Sequence, residues 1–150
     1  FAVAKELMLS PCMQTESISQ GICFPLWQLS AWFLTILNTC FFAISGSVIN
    51  IGTIIGNHCL INTGSKIDHD NILENYSSCG PSVTTGGNVK IGKASHIGMG
   101  SIIKNNINIE NSVVVGAGSI VVKNCKKNNV YFGNPAKKIR RLKKNENYLK

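Results

Sequence analysis

From Ile49 to Val121 an aliphatic residue returns at every sixth position: Ile49, Ile55, Ile61, Ile67 and Leu73, then Ile91, Ile97, Ile103, Ile109, Val115 and Val121, with Cys79 and Thr85 the two departures. Two residues before each member stands a mostly small or β-branched residue, as at Thr53, Ser65, Ser77, Val89 and Ser101, and the residue after it is often glycine, as at Gly56, Gly92, Gly98 and Gly116. Such spacing matches neither the 3.6-residue turn of a helix nor the simple alternation of a hairpin strand. It predicts short strands that each turn one large and one small side chain inward and then round a corner, where glycine or asparagine tolerates backbone conformations that other residues resist. The expected fold class is therefore all-β, a parallel β-helix of hexapeptide repeats.

One such coil cannot bury its apolar face alone, so successive coils must stack into a single rigid prism. With three hexads to a coil, residues 45–128 supply between four and five coils with no insertion to serve as a lid. A site must then lie on the prism wall, at a terminus, or between subunits. The expected organisation is an atypical apolar segment over 1–44, the β-helix over 45–128, and a turn with a basic tail or helix over 129–150. The chain opens on Phe1 rather than Met, as expected of a fragment whose upstream sequence is missing.

No charged residue occurs from Ser17 to Ser65, and the run from Ile22 to Ile44 is long and apolar enough to be weighed as a membrane span. Pro25, Gln28, Thr35, Asn38 and Thr39 interrupt or dilute it, so membrane contact through 22–44 is not favoured over a folded cap on the first coil or a misjoined gene end. A signal peptide fits less well, because the basic leading region is absent.

The net charge of +8 is concentrated. Residues 123–150 hold ten Lys and Arg against the single acid Glu146, whereas the remainder carries five basic and six acidic groups. A tail of this kind expects an anionic partner. It has few aromatics for base stacking and no nucleic-acid module, so a phosphorylated small molecule is expected rather than nucleic acid. The six cysteines form no C-x-x-C pair, and Cys59 and Cys79 fall on inward positions, where a thiol acts as a small hydrophobe. Reduced core cysteines point to a cytoplasmic location.

Among three histidines, His69 lies between Asp68 and Asp70, and a neighbouring carboxylate can fix one tautomer of an imidazole and raise its basicity. His58 is expected at a corner and His96 on the outer surface. The gamma-class carbonic anhydrases place zinc between β-helix subunits with three His ligands, but the spacings of His58, His69 and His96 lack a close pair, so no metal is expected. Cys79 replaces a core aliphatic residue with no base placed beside it, which counts against a covalent nucleophile.

The run Asn62-Thr63-Gly64-Ser65-Lys66-Ile67-Asp68-His69-Asp70, with Gly87-Asn88-Val89-Lys90-Ile91-Gly92, Val115-Gly116-Ala117-Gly118-Ser119 and Gly133-Asn134-Pro135-Ala136-Lys137, resembles the NeuD/PglD-type left-handed β-helix sugar acetyltransferases over about residues 46–141. The resemblance implies a homotrimer with acetyl-CoA bound between neighbouring prisms as co-substrate. The acetyl group would pass to an amine or hydroxyl of a nucleotide-linked or sialic-acid-like sugar. It further implies His69 as general base and Asp70 as the carboxylate that increases its basicity. Acetyl-CoA contacts are implied at Ser78, Met99 and Ala117, with Gly87 beside the thioester arm and Lys137 and Lys138 near the nucleotide end. Many relatives carry a second histidine where this chain has Ser78, and the N-terminal sugar-nucleotide domain common in the family does not fit in residues 1–44. The non-enzymatic alternatives are an inactive fragment or a β-helix scaffold. An ice-binding surface would need regular outward rows of one residue type, and the outward positions here are mixed.

Overall fold

The computed structural model describes residues 41–143, and all of its regular elements are short strands. They stack into three walls. The first wall runs Phe42–Ala43, Leu60–Ile61, Ser78–Cys79, His96–Ile97, Val114–Val115 and Asn129–Phe132, and is closed by Lys137–Arg141. The second contains Val48–Ile49, Lys66–Ile67, Thr84–Thr85, Ile102–Ile103 and Ile120–Val121, and the third Ile54–Ile55, Ile72–Leu73, Lys90–Ile91 and Asn108–Ile109. Pairing is parallel except at the closing strand, and Leu60 meets Ser78, which meets His96, which meets Val114, so each coil advances the chain by 18 residues. The result is a left-handed parallel β-helix of about 5 turns.

The inward positions read from the hexads form the core. Ile55, Ile61, Ile67, Leu73, Ile91, Ile97, Ile103 and Ile109 are each no more than 1% exposed and come from all three walls. Each such side chain contributes about 1.5–3 kcal/mol by leaving water, but only when the coils above and below cover it. The small residues two positions earlier, among them Thr53, Ser65, Ser77 and Ser101, are buried too. Cys79 and Thr85 keep the inward register, so they depart from the pattern in chemistry rather than in geometry.

Corners differ from the expectation in one respect. The left-handed conformation recurs at every sixth residue from Gly46 to Gly118, three positions after the inward aliphatic residue rather than one, and is adopted by His58, Asp70, Tyr76, Ser82, Asn88, Ala94, Asn106 and Ser112 as well as by glycines. The glycines that directly follow the aliphatic residues answer a different need. A Cβ on Gly98 would stand 2.5 Å from the Ala117 nitrogen, and one on Gly92 2.6 Å from the Glu110 carbonyl carbon. Close approach of the next coil's backbone excludes a side chain there.

The basic segment expected as a tail or helix is instead a strand up to Arg141. Lys137–Arg141 pairs antiparallel with Asn129–Phe132 after a turn at 133–136, whose Ala136 amide donates to the Ile120 carbonyl at 2.8 Å. The open edge of the first wall offers hydrogen bonds that override local helix propensity. Most of the apolar run over 22–44 lies outside the described residues. Its last part enters the first wall, where Phe42–Ala43 pairs with Leu60–Ile61.

Candidate active site

Residues 68–71 round the edge between the second and third walls. Asp70 sits there with φ of 57°, a conformation that aspartate tolerates better than most residues. That turn brings its carboxylate back onto the preceding side chain, with Oδ2 2.8 Å from His69 Nδ1. An ionised carboxylate can only accept, so Nδ1 carries the proton and Nε2 presents its lone pair. On the other side, Asp68 Oδ1 accepts from the His69 amide and from Asn50 Nδ2, both at 2.9 Å.

Both neighbouring coils leave space for this pair. A Cβ on Gly52, one coil before Asp70, would collide with its Oδ1, and a Cβ on Gly87 would stand 2.6 Å from His69 Nε2. The hydrogen bond that His69 donates to Asp70 raises the His69 pKa above its ordinary value, and the Asp68 charge adds to the shift. Asp68 itself is held below the usual carboxylate range, first by Asn50 and then by the His69 amide. The His69 side chain is 54% exposed, so the imidazole is oriented yet reachable.

The other residues singled out in the sequence divide between two further places. Met99 and Ala117 are exposed at the edge between the first and second walls, joined through the Gly118 amide, which donates to the Met99 carbonyl at 2.8 Å. Ser78 lies on the first wall, and Lys137 and Lys138 lie on the antiparallel strand that closes that wall. His69, Asp70 and Gly87 are thus brought together, while the second wall separates them from Met99 and Ala117 within one chain.

Sequence reasoning placed His96 on the outer surface and missed its contact with Ser78. The ring is half-buried and its Nδ1 is 2.8 Å from Ser78 Oγ on the adjacent strand; burial lowers its pKa. The 18-residue interval between Ser78 and His96 was the available signal. His58 does occupy a corner, stacked on Tyr76 with ring centroids 5.1 Å apart. The three histidines therefore stand on separate parts of the prism, and among the described residues no three His, Cys, Asp or Glu side chains gather around a point that would hold a metal. Cys59, Cys79 and Cys125 are free and buried, and burial pushes the Cys79 thiol up to about 12.

Two coils below His69 on the same edge, Lys104, Asn105, Asn106, Ile107, Val122, Lys123 and Asn124 line a shallow groove of about 420 Å³. Asn88 Nδ2 donates to Asn106 Oδ1 at 2.8 Å, which ties the coil carrying Gly87 to the coil that lines the groove.

No protein-family model matches the chain. In sequence it is 35% identical over 133 residues to a serine acetyltransferase of Buchnera aphidicola subsp. Schizaphis graminum, a match covering 82% of this chain and 50% of that protein. The chain thus spans about half the length of that relative. In structure it is similar to a mutant perosamine N-acetyltransferase from Caulobacter crescentus in complex with CoA and GDP-perosamine, with a TM-score of 0.64 and 31% identity over 64% of this chain and 46% of that one. It is also similar to the acetyltransferase domain of PglB from Neisseria gonorrhoeae FA1090, with a TM-score of 0.64 and 28% identity over 65% of this chain and 47% of that one. The resemblance to left-handed β-helix acetyltransferases read from the sequence motifs is present in these neighbours.

Proposed function

We propose that this chain, a hexapeptide-repeat β-helix protein of the acetyltransferase type, transfers an acetyl group from acetyl-CoA to an amine or hydroxyl of a nucleotide-linked or sialic-acid-like sugar. The observation that carries the reading is the 2.8 Å contact of His69 Nδ1 with Asp70 Oδ2, which aims a basic Nε2 outward over Gly87. In the reaction the acceptor nitrogen or oxygen attacks the thioester carbonyl carbon while His69 Nε2 takes its proton. The carbon–sulfur bond breaks, the electron pair stays on sulfur, and the thiolate recovers the proton from the imidazolium. No covalent enzyme intermediate is needed, and the raised thiol pKa of Cys79 argues against one.

The CoA-bound neighbour supports CoA as the donor carrier, and Lys104 and Lys123 in the groove beneath His69 suit its anionic groups. Lys137 and Lys138 are a second set of cations available to the nucleotide end, while Ser78, Met99 and Ala117 would line the acyl arm. In one prism the second wall separates Met99 and Ala117 from His69. The reading therefore joins the His69 edge of one copy to the Met99 edge of the next, as in a homotrimer. The buried free thiols suit a reducing cytoplasm.

Thiol release from acetyl-CoA, followed with candidate amino sugars and with serine, tests the proposal. Serine is included because the curated relative is a serine acetyltransferase; faster turnover of serine than of any sugar would replace the acceptor assignment and leave the His69 chemistry standing. No thiol release with either class would overturn the reading.

A further inference from the structure

Beneath the His69 corner the core turns polar. Thr53 Oγ1 and Asn71 Nδ2 donate to the Asp68 carbonyl at 2.9 and 2.8 Å, and the Asp68 amide donates to Thr85 Oγ1 at 3.1 Å. Asn71 Nδ2 also lies 2.8 Å from Thr85 Oγ1, and Asn71 Oδ1 accepts from the Val89 amide. Thr53, Asn71 and Thr85 are 0%, 1% and 3% exposed and belong to three successive coils. Both backbone polar groups of one residue, the amide and the carbonyl of Asp68, are therefore held by buried side chains.

Folding this corner does not require such a set. One coil further on, the same edge is rounded with Val89 where Asn71 stands and Ile103 where Thr85 stands, and both of those residues are buried. Ser65 and Ser101 each donate to a single carbonyl of the next coil, and Ser95 and Ser119 each add one backbone amide as donor, but among the described residues none of these four bonds a second side chain there. The concentration of polar partners coincides with the one corner that carries His69.

We propose that Thr85, Asn71 and Thr53 are positioning residues that clamp the Asp68 peptide and so fix the His69–Asp70 pair, a role that rests on the reading of His69 as the base. The clamp acts through the backbone: with Asp68 immobile, the His69 amide stays on Asp68 Oδ1 and the ring stays within reach of Asp70. Its geometry needs no ligand and exists in the chain as folded.

Thr85→Val tests this, because valine keeps the shape and is the kind of residue the hexad pattern expects at 85. The variant should retain the β-helix while kcat falls by about 5–50-fold, with the KM for acetyl-CoA within about twofold of the parent. In NMR titrations the His69 ring should lose part of its raised pKa, and Thr85→Ser should restore both kcat and the ring titration. Unchanged His69 titration in Thr85→Val overturns the clamp whatever the activity does. Because the titration uses no substrate, a chain without acetyl transfer would defeat the proposed function and leave this comparison decisive for the clamp. Should Thr85→Val fail to fold, Thr53→Val, which removes one donor to the Asp68 carbonyl, supports the same comparison.

Discussion

The imidazole of His69 lies directly over Gly87, 18 residues later in the chain and one coil along the prism, so that a Cβ on Gly87 would meet ring atom Cε1 at 2.5 Å. Gly87 is not in the left-handed region, so alanine can adopt its backbone conformation without strain. Gly87→Ala should therefore fold as the parent does but push the ring aside. The expected outcome is a fall in kcat of about 10²-fold, the scale of a one-ångström misplacement, with the melting temperature nearly unchanged. Full activity in this variant would show that the ring's seat is immaterial.

Replacing His69 by alanine should lower acetyl transfer by about 10²–10⁴-fold, the range for loss of a general base, while leaving the core intact. Asp70→Asn gives a more specific readout. A base must be neutral to accept a proton, so the acid limb of kcat/KM follows the His69 pKa, which Asp70 raises. Removing that carboxylate should move the limb to lower pH and reduce the rate less than His69→Ala does. The same linkage has a consequence for stability. A raised folded pKa stabilises the protein fully below the ordinary histidine pKa, and the contribution is lost as pH rises through the folded value. An acid limb that stays in place in Asp70→Asn would remove Asp70 from the mechanism.

Ser78→Ala tests the hydrogen bond to His96. Loss of the 2.8 Å contact should lower stability by about 1 kcal/mol in urea titrations and shift the His96 ring resonances. Since Ser78 stands on the first wall and away from the His69 corner, the acid limb of the pH profile should not move. The KM for acetyl-CoA should rise severalfold. A KM equal to the parent's would confine Ser78 to a structural role.

Cys79 provides the test against covalent catalysis. With burial pushing its thiol up to about 12, Cys79 stays protonated at pH 8, and the thiol is a far weaker nucleophile than the thiolate. Iodoacetamide should leave Cys59, Cys79 and Cys125 unlabelled in the native protein, as read by peptide mapping, and modify them once the chain is denatured. Cys79→Ala should keep its turnover while losing roughly 1–2 kcal/mol of stability to the small cavity. A variant that is stable yet inactive would return the thiol to the mechanism.

The hexad spacing made the core legible because burial selects side-chain size at each inward position regardless of what surrounds it. It could not show what Thr85 does. A polar residue at an inward position reads as a mismatch until its partners are known, and Asn71 and the Asp68 peptide meet it only once the coils are stacked. The D-H-D run placed His69 beside two carboxylates and only the family resemblance singled out Asp70; what sets Asp70 rather than Asp68 against the ring is the left-handed turn at Asp70. His96 escaped notice for a similar reason, since its partner Ser78 is adjacent only across coils. The segment Lys137–Arg141 was misread because its strand conformation comes from the open edge of the first wall rather than from its own composition.

The uniform register also makes the prism a ruler. Adjacent strands in a sheet lie roughly 4.8 Å apart, so positions along one edge are separated by whole multiples of that interval. From His69 to Lys123 is three such intervals, roughly 14 Å. A molecule that must reach both is graded by length as well as by charge. Deleting one complete coil would shorten the scale by a fixed notch without reshaping either end, whereas inserting a single residue would turn every later side chain out of its column.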